Sequence, residues 1–349
     1  MNIIVAILIF GLLVLVHELG HFLAARKNGI LVEEFAIGMG PKLVGIKRGD
    51  TLYSIRLLPF GGYCKMLGED EVVADDDRAF SNKSVGARIV VVVAGAAFNI
   101  ILAFIFACII VGNAGEYTTT VKGLSNNSPA YNAGLRDGDE IIKVDNHRII
   151  SYSEIGLYIN LKKGEPIDVT YKRNGETMIV NITPNVEIMP EQDNRKRYFI
   201  GIKDFYTMDQ GNFIQVIKYG FLKVVFWIKT VFISLGMLIH GQVQKQDIGG
   251  PLRIMSEISK GYSESAKIGF RNVFLTISSY IVLLSANLGV MNLLPIPALD
   301  GGRLVFLLLE AIRRKPINRE KEAYVHFVGF VLLMILMVFL FYNDFRNVF

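Results

Sequence analysis

Cysteine, histidine and charge are all scarce in this 349-residue chain. There are 2 cysteines, Cys64 and Cys108, and 5 histidines. Two cysteines offer no disulfide framework and no metal-binding spacing, and Cys108 lies in an apolar run where it reads as packing. The net charge is only +5. No basic stripe is interleaved with aromatics, which argues against nucleic acid as a partner, and the positive residues read better as topology signals. Some stretches lack charge almost entirely. From Met1 to Ala25 the only ionisable side chains are His17, Glu18 and His21. With 52% hydrophobic residues and a mean hydropathy of +0.39, several uncharged runs are long enough to span a bilayer. The chain is therefore expected to be an integral membrane protein.

Within the first of those runs stands His17-Glu18-Leu19-Gly20-His21. Histidines four apart share one face of a helix and can turn a ring nitrogen each toward one metal, the H-E-x-x-H pattern of zinc peptidases. Glu18, one position round, is placed to take a proton from a water held there. A paired histidine on an apolar helix can be mere packing. In a chain this poor in histidine, however, a chance match is on the order of one in a hundred or less. As a helix the run is about 38 Å long, and ionisable groups at membrane depth are costly enough to imply a function. The run lacks a basic start and exceeds a usual signal core. Cleavage near Ala24-Ala25 would discard the motif, so a signal peptide is rejected.

Along the chain, residues 1–25 form a first span, followed at once by Arg26 and Lys27. Residues 26–88 form a loop whose part from Leu43 to Leu67 has strand character around the turn signal Arg48-Gly49-Asp50. The acidic stretch Glu69 to Asp77 reads as a solvated loop. A second span covers 89–111, with small residues Ala94-Gly95-Ala96-Ala97 that permit close helix approach. Asn99, polar inside that span, is read first as helix packing and second as a contact near the site. Residues 115–205 are water-soluble in character. Within them Ser128 to Asp145 predicts a short helix, a Gly-Asp turn and an alternating strand. Residues 206–271 include an apolar run, 216–239, interrupted by Lys218, Lys223 and Lys229 and therefore expected to lie at the interface. The third span occupies 272–302, a loop 303–323, and the fourth span 324–342.

Lysine and arginine set the sidedness. The 26–88 loop carries ten and the 303–321 loop six, which places both in the cytoplasm. Both termini and the 115–205 domain then lie outside, after four crossings. Zinc catalysis calls for three protein ligands and one open position. Asp300 is the best third ligand, being acidic, membrane-proximal and preceded by a helix broken at Pro295 and Pro297. Glu310 is a rival, and an N-cap role for Asp300 is the structural alternative.

Taken together, these features resemble the site-2 proteases, the intramembrane zinc metalloproteases, and within them the bacterial regulator-of-sigma-E protease type. The resemblance rests on H-E-L-G-H, Pro59-Phe60-Gly61-Gly62-Tyr63, Gly250-Pro251 and the N-x-x-P-x-x-x-x-D-G run from Asn292 to Gly301. It also rests on Ser128 to Asp145, which is similar to the PDZ domain of bacterial proteases, with Tyr198 to Ile202 as the extra strand of the permuted form. The resemblance implies a polytopic α-helical membrane protein with four transmembrane helices, a membrane-associated β-hairpin and one extracytoplasmic PDZ-like α+β domain. By it, His17, His21 and Asp300 bind Zn2+ and Glu18 is the catalytic carboxylate. Asn292 contacts the substrate backbone, while Gly61, Gly62 and Tyr63 belong to the β-loop that aligns the substrate. The implied substrates are membrane-spanning proteins, either anti-sigma factors or remnant signal peptides, cut in a bacterial inner membrane. The PDZ-like domain can take a peptide end. Some relatives carry two PDZ domains, and this chain has room for one. The alternatives are a non-proteolytic PDZ scaffold with a structural metal, and a metal transporter.

Overall fold

The computed structural model describes residues 2–69, 73, 76–189, 195–208, 212–242 and 249–348. Most of the acidic stretch expected as a loop lies outside the described residues. The helices are α1 (Asn2–Lys27), α2 (Val85–Ala114), α3 (Pro129–Asn132), α4 (Tyr152–Leu161), α5 (Phe213–Ile239), α6 (Pro251–Ile268), α7 (Phe270–Leu293), α8 (Asp300–Arg313) and α9 (Arg319–Val348). The strands are β1 (Val32–Arg48), β2 (Thr51–Met66), β3 (Tyr117–Leu124), β4 (Glu140–Val144), β5 (His147–Arg148), β6 (Ile167–Arg173), β7 (Glu176–Ile182), β8 (Asn185–Met189), β9 (Arg195–Phe199) and β10 (Ile202–Thr207). Five helices among the described residues (α1, α2, α5, α7 and α9) are long and apolar enough to cross a membrane. The run expected at the interface is thus one continuous helix, α5, that meets the length of a span. The chain divides into two compact units, residues 1–107 with 227–349, and residues 108–226.

In the first unit α1, α2 and α7 pack side by side. Val91 and Asn99 of α2 meet His21 and His17 of α1, so these helices run antiparallel. Ala6, Ile9 and Leu13 of α1 cluster with Ile281 and Leu284 of α7, while Asn292 meets His17, so these two run parallel. Close packing of α1 on α2 depends on small residues. A methyl on Gly20 would lie 2.5 Å from the Ala94 carbonyl oxygen.

The β1–β2 hairpin begins at Val32, well before the expected Leu43, because Val32, Phe35 and Ala36 are buried. Val32 and Phe35 belong to a core cluster with Phe22, Cys64 and Met66. The hairpin also curls on itself. Residues Glu34–Ile37 pair with Gly62–Lys65 on one side and with Leu52–Ile55 on the other. Positive φ at Gly38 (86°) and Gly61 (78°) permits the bends, a conformation only glycine adopts cheaply. Glu34 fastens the curl, accepting from Ser54 at 2.6 Å and Arg56 at 2.8 Å. Burial opposes its ionisation, but the bonds from Ser54, Arg56 and Tyr63 outweigh it and hold its carboxyl below the usual range. Burial, and then the bond to Glu34, pushes the Tyr63 hydroxyl up to about 12.

The second unit holds a sheet in the order β10-β3-β4-β6-β7 with β5 beside β4. Val121, Leu135, Ile141, Ile167 and Ile182 are fully buried in this unit. Ser128 caps α3, its oxygen accepting from the Tyr131 N–H, as expected of the Ser-Pro start. The expected single strand from Tyr198 to Ile202 is split. Tyr198 and Phe199 pair with β8 and Ile202 with β3. Gly201, with φ 87°, turns the chain between them.

Candidate metal centre

The helical i, i+4 spacing carries both histidine rings to the α2 face of α1, as the sequence requires. Their Nε2 atoms lie 3.1 Å apart. The third group arrives from elsewhere. Pro295 and Pro297 cannot continue α7, and Ala298 takes φ 74°, so the chain turns sharply before α8. A methyl on Gly301 would come within 2.5 Å of the Leu294 and Leu293 carbonyl oxygens. Only glycine lets α8 start so close to the end of α7. Asp300, in the first turn of α8, thereby brings Oδ2 to 3.1 Å from His17 Nε2 and 3.3 Å from His21 Nε2. Leu299, not Asp300, is the N-cap residue, and no side-chain cap bond forms. Glu310, the rival ligand, is instead paired with Arg88 at 2.5 Å.

Two ring nitrogens and a carboxylate oxygen therefore converge as possible ligand atoms, and Asp300 Oδ2 is buried with no hydrogen-bond partner among the described residues. One proton can relieve one of these contacts; a cation relieves all three. A tetrahedral ion with bonds of about 2.0–2.1 Å needs donors about 3.3 Å apart, and the observed separations fit it. The donor set, two imidazoles and a carboxylate, leaves a fourth position open.

The site opens on a cavity of about 390 Å³ lined by His17, Glu18, His21, Tyr63, Cys64 and Asp300, among others. Glu18 accepts from the Cys64 backbone N–H, and a methyl on Gly62 would lie 3.7 Å from Glu18 Cγ. Among the described residues the segment Gly62–Met66 pairs as a strand with β1 alone, so a sheet edge borders the carboxylate. Tyr63 and Gly62 therefore reach the site, whereas Gly61 faces Met39. Asn292 Nδ2 stands 3.4 Å from both His17 ring nitrogens.

Of three supports on α2, sequence reasoning did not assign Val91 and Gly95 to the site and gave Asn99 a contact near it only as a second reading. The Val91 carbonyl is 2.9 Å from His21 Nδ1. Gly95 lies against the ligands, where a methyl would be 2.3 Å from His21 Nε2. Asn99, fully buried, has Nδ2 3.3 Å from His17 Nδ1. A backbone carbonyl leaves no sequence signal. The four-residue spacing of 91, 95 and 99 does, once α2 is known to face α1.

Helices able to span a bilayer and a His-His-Asp centre, its histidines buried, with a neighbouring glutamate define a membrane metallopeptidase. The chain belongs to peptidase family M50, the site-2 proteases, whose model matches residues 5–336. The regulator of sigma-W protease RasP of Bacillus subtilis is 32% identical over 430 aligned positions, covering 100% of this chain and 99% of that one. That length exceeds 349 residues, so RasP carries internal sequence absent here. A proposed zinc metalloprotease of Clostridium acetobutylicum is 44% identical, covering 97% of this chain and 95% of its own. Among solved structures, the PDZ domain of an SdrC-like protein from Listeria monocytogenes is 26% identical. It covers 26% of this chain and 86% of that chain, with a TM-score of 0.20.

Proposed function

We propose that the chain is an intramembrane zinc endopeptidase that cuts membrane-spanning segments of single-span proteins, with anti-sigma factors and remnant signal peptides as the substrate class. The observation that carries this reading is the meeting of His17, His21 and Asp300 within 4.8 Å, beside Glu18 and a sheet edge. These three residues would hold the zinc, which when bound polarises the scissile carbonyl and makes water acidic enough to attack near neutral pH. Glu18 takes the proton of the attacking water and hands it to the leaving nitrogen. The substrate must first unwind, since a helix hides its carbonyls in its own bonds. Strand addition along the outer side of Gly62–Met66 would supply replacement bonds to the extended substrate. Asn292 steadies the substrate backbone beside the centre.

Four crossings fit this reading. With α2 antiparallel and α7 parallel to α1, the chain between them crosses an even number of times. Were α5 to cross, α6 would have to return. Yet α6 is 18 residues long and carries Arg253, Glu257, Lys260, Glu264 and Lys267, which disqualifies it as a span. The termini and the PDZ-like unit then lie outside a bacterial inner membrane, and that unit binds or screens substrate ends. A cysteine placed at Gln246, outside the described residues, should be labelled from the outer side; labelling from the cytoplasm would overturn the four-span topology.

Purified Glu18→Gln should keep its zinc and lose cleavage of a single-span reporter, and membranes carrying it should accumulate single-span fragments. Undiminished cleavage by this variant would defeat the mechanism and favour the scaffold.

A further inference from the structure

We propose that Asn99 is a positioning residue for His17, its side-chain oxygen accepting a hydrogen bond from the His17 Nδ1–H. The inference rests on the reading that His17, His21 and Asp300 hold the metal. Both Nε2 atoms point at Asp300 Oδ2. With a metal held between these three atoms, each Nε2 must offer it a lone pair, so the proton of each neutral ring sits on Nδ1. His21 donates that N–H to the Val91 carbonyl at 2.9 Å. His17 needs an equivalent acceptor.

Asn99 is the group in position. Its amide nitrogen is 3.3 Å from His17 Nδ1, and its oxygen is buried with no partner among the described residues. As drawn, two donors face each other. The two ends of an amide are distinguished only by the partners they keep, and half a turn about the last side-chain bond sets Oδ1 against the Nδ1 proton. Asn292 does not serve instead, because its nitrogen is 3.4 Å from both ring nitrogens alike and lines up with neither N–H. One stripe of α2 thus does three things at intervals of four residues. The Val91 carbonyl holds one ring, Gly95 leaves room for both, and the Asn99 oxygen holds the other. Such outer partners fix the orientation of a ligating ring and raise its basicity.

The test uses full-length protein in detergent, with zinc affinity read by chelator competition and ligand geometry by the absorption bands of cobalt(II) in the same site. Asn99→Leu, similar in shape but without an acceptor, should bind zinc about 10–100-fold more weakly and shift the cobalt bands. Asn99→Asp, which can only accept, should bind at least as tightly as the wild type. Wild-type affinity and bands in Asn99→Leu would overturn the proposal, as would an equal loss in Asn99→Asp, since the amide's NH2 or its packing would then be what matters. If Asn99→Leu fails to elute as a folded protein, Asn99→Asp decides alone on the same criterion. His17→Ala separates the two readings. Loss of zinc there with none in Asn99→Leu refutes the role of Asn99 alone, whereas retained zinc in His17→Ala refutes the ligand assignment itself.

Discussion

Replacing Gly95 with alanine tests whether the space at the centre is there for a metal. The new methyl would stand 2.3 Å from His21 Nε2 and 2.7 Å from His17 Cε1, against a closest sustained approach of 3.0 Å. The His21 ring would have to retreat by about 0.7 Å, several times the roughly 0.2 Å tolerance of a metal–ligand distance. Overpacking of this kind costs about 1–3 kcal/mol, which a folded protein survives. Zinc affinity should fall by at least about 100-fold, since a displaced ligand exceeds the effect of a lost outer partner, and cleavage should fall with it. Gly86→Ala on the same helix is the control, because a methyl there meets nothing within 4 Å. Zinc content and reporter cleavage would be measured side by side in the two variants. Wild-type values in Gly95→Ala, or an equal loss in Gly86→Ala, would refute the reasoning.

Two further outcomes are expected away from the metal. Asp139 is buried (1% exposed) and accepts from Arg173 Nε and Nη2, each at 2.8 Å. Arg173→Met should destabilise the 108–226 unit by about 1–3 kcal/mol, discounted for the partial exposure of the arginine. Hydrogen exchange in the full-length protein should report it with zinc content unchanged, and undiminished protection would contradict it. In the hairpin, the carboxyl of Glu34 is held below its usual range in the fold. It therefore stabilises the curl above the ordinary carboxylate range near pH 4, and that contribution is lost as pH falls through the folded value. Exchange at residues 34–36 and 52–56 should quicken at acid pH, and Glu34→Gln should abolish that dependence; an unchanged acid response in the variant would contradict it.

The sequence by itself determined the helical half of the centre, the two histidines of α1. Histidines four apart in an uncharged run are bound to share a helix face whatever that helix packs against, and Pro295 and Pro297 must end α7 before Asp300. The short helix and the strand within Ser128 to Asp145 were legible for the same reason, since alternation and Gly-Asp turns are local. Tertiary structure alone decided the rest. Whether Asp300 or Glu310 completes the site depends on Gly301 and Gly302 letting α8 fold against α7, and on Arg88 claiming Glu310. The start of the hairpin at Val32 follows from burial against Phe22, and no local pattern foretells it. Likewise Val91, Gly95 and Asn99 acquire their roles only because Gly20 draws α2 onto α1. Spacing along one helix is fixed by backbone geometry, but the side chains that meet across helices are chosen by packing.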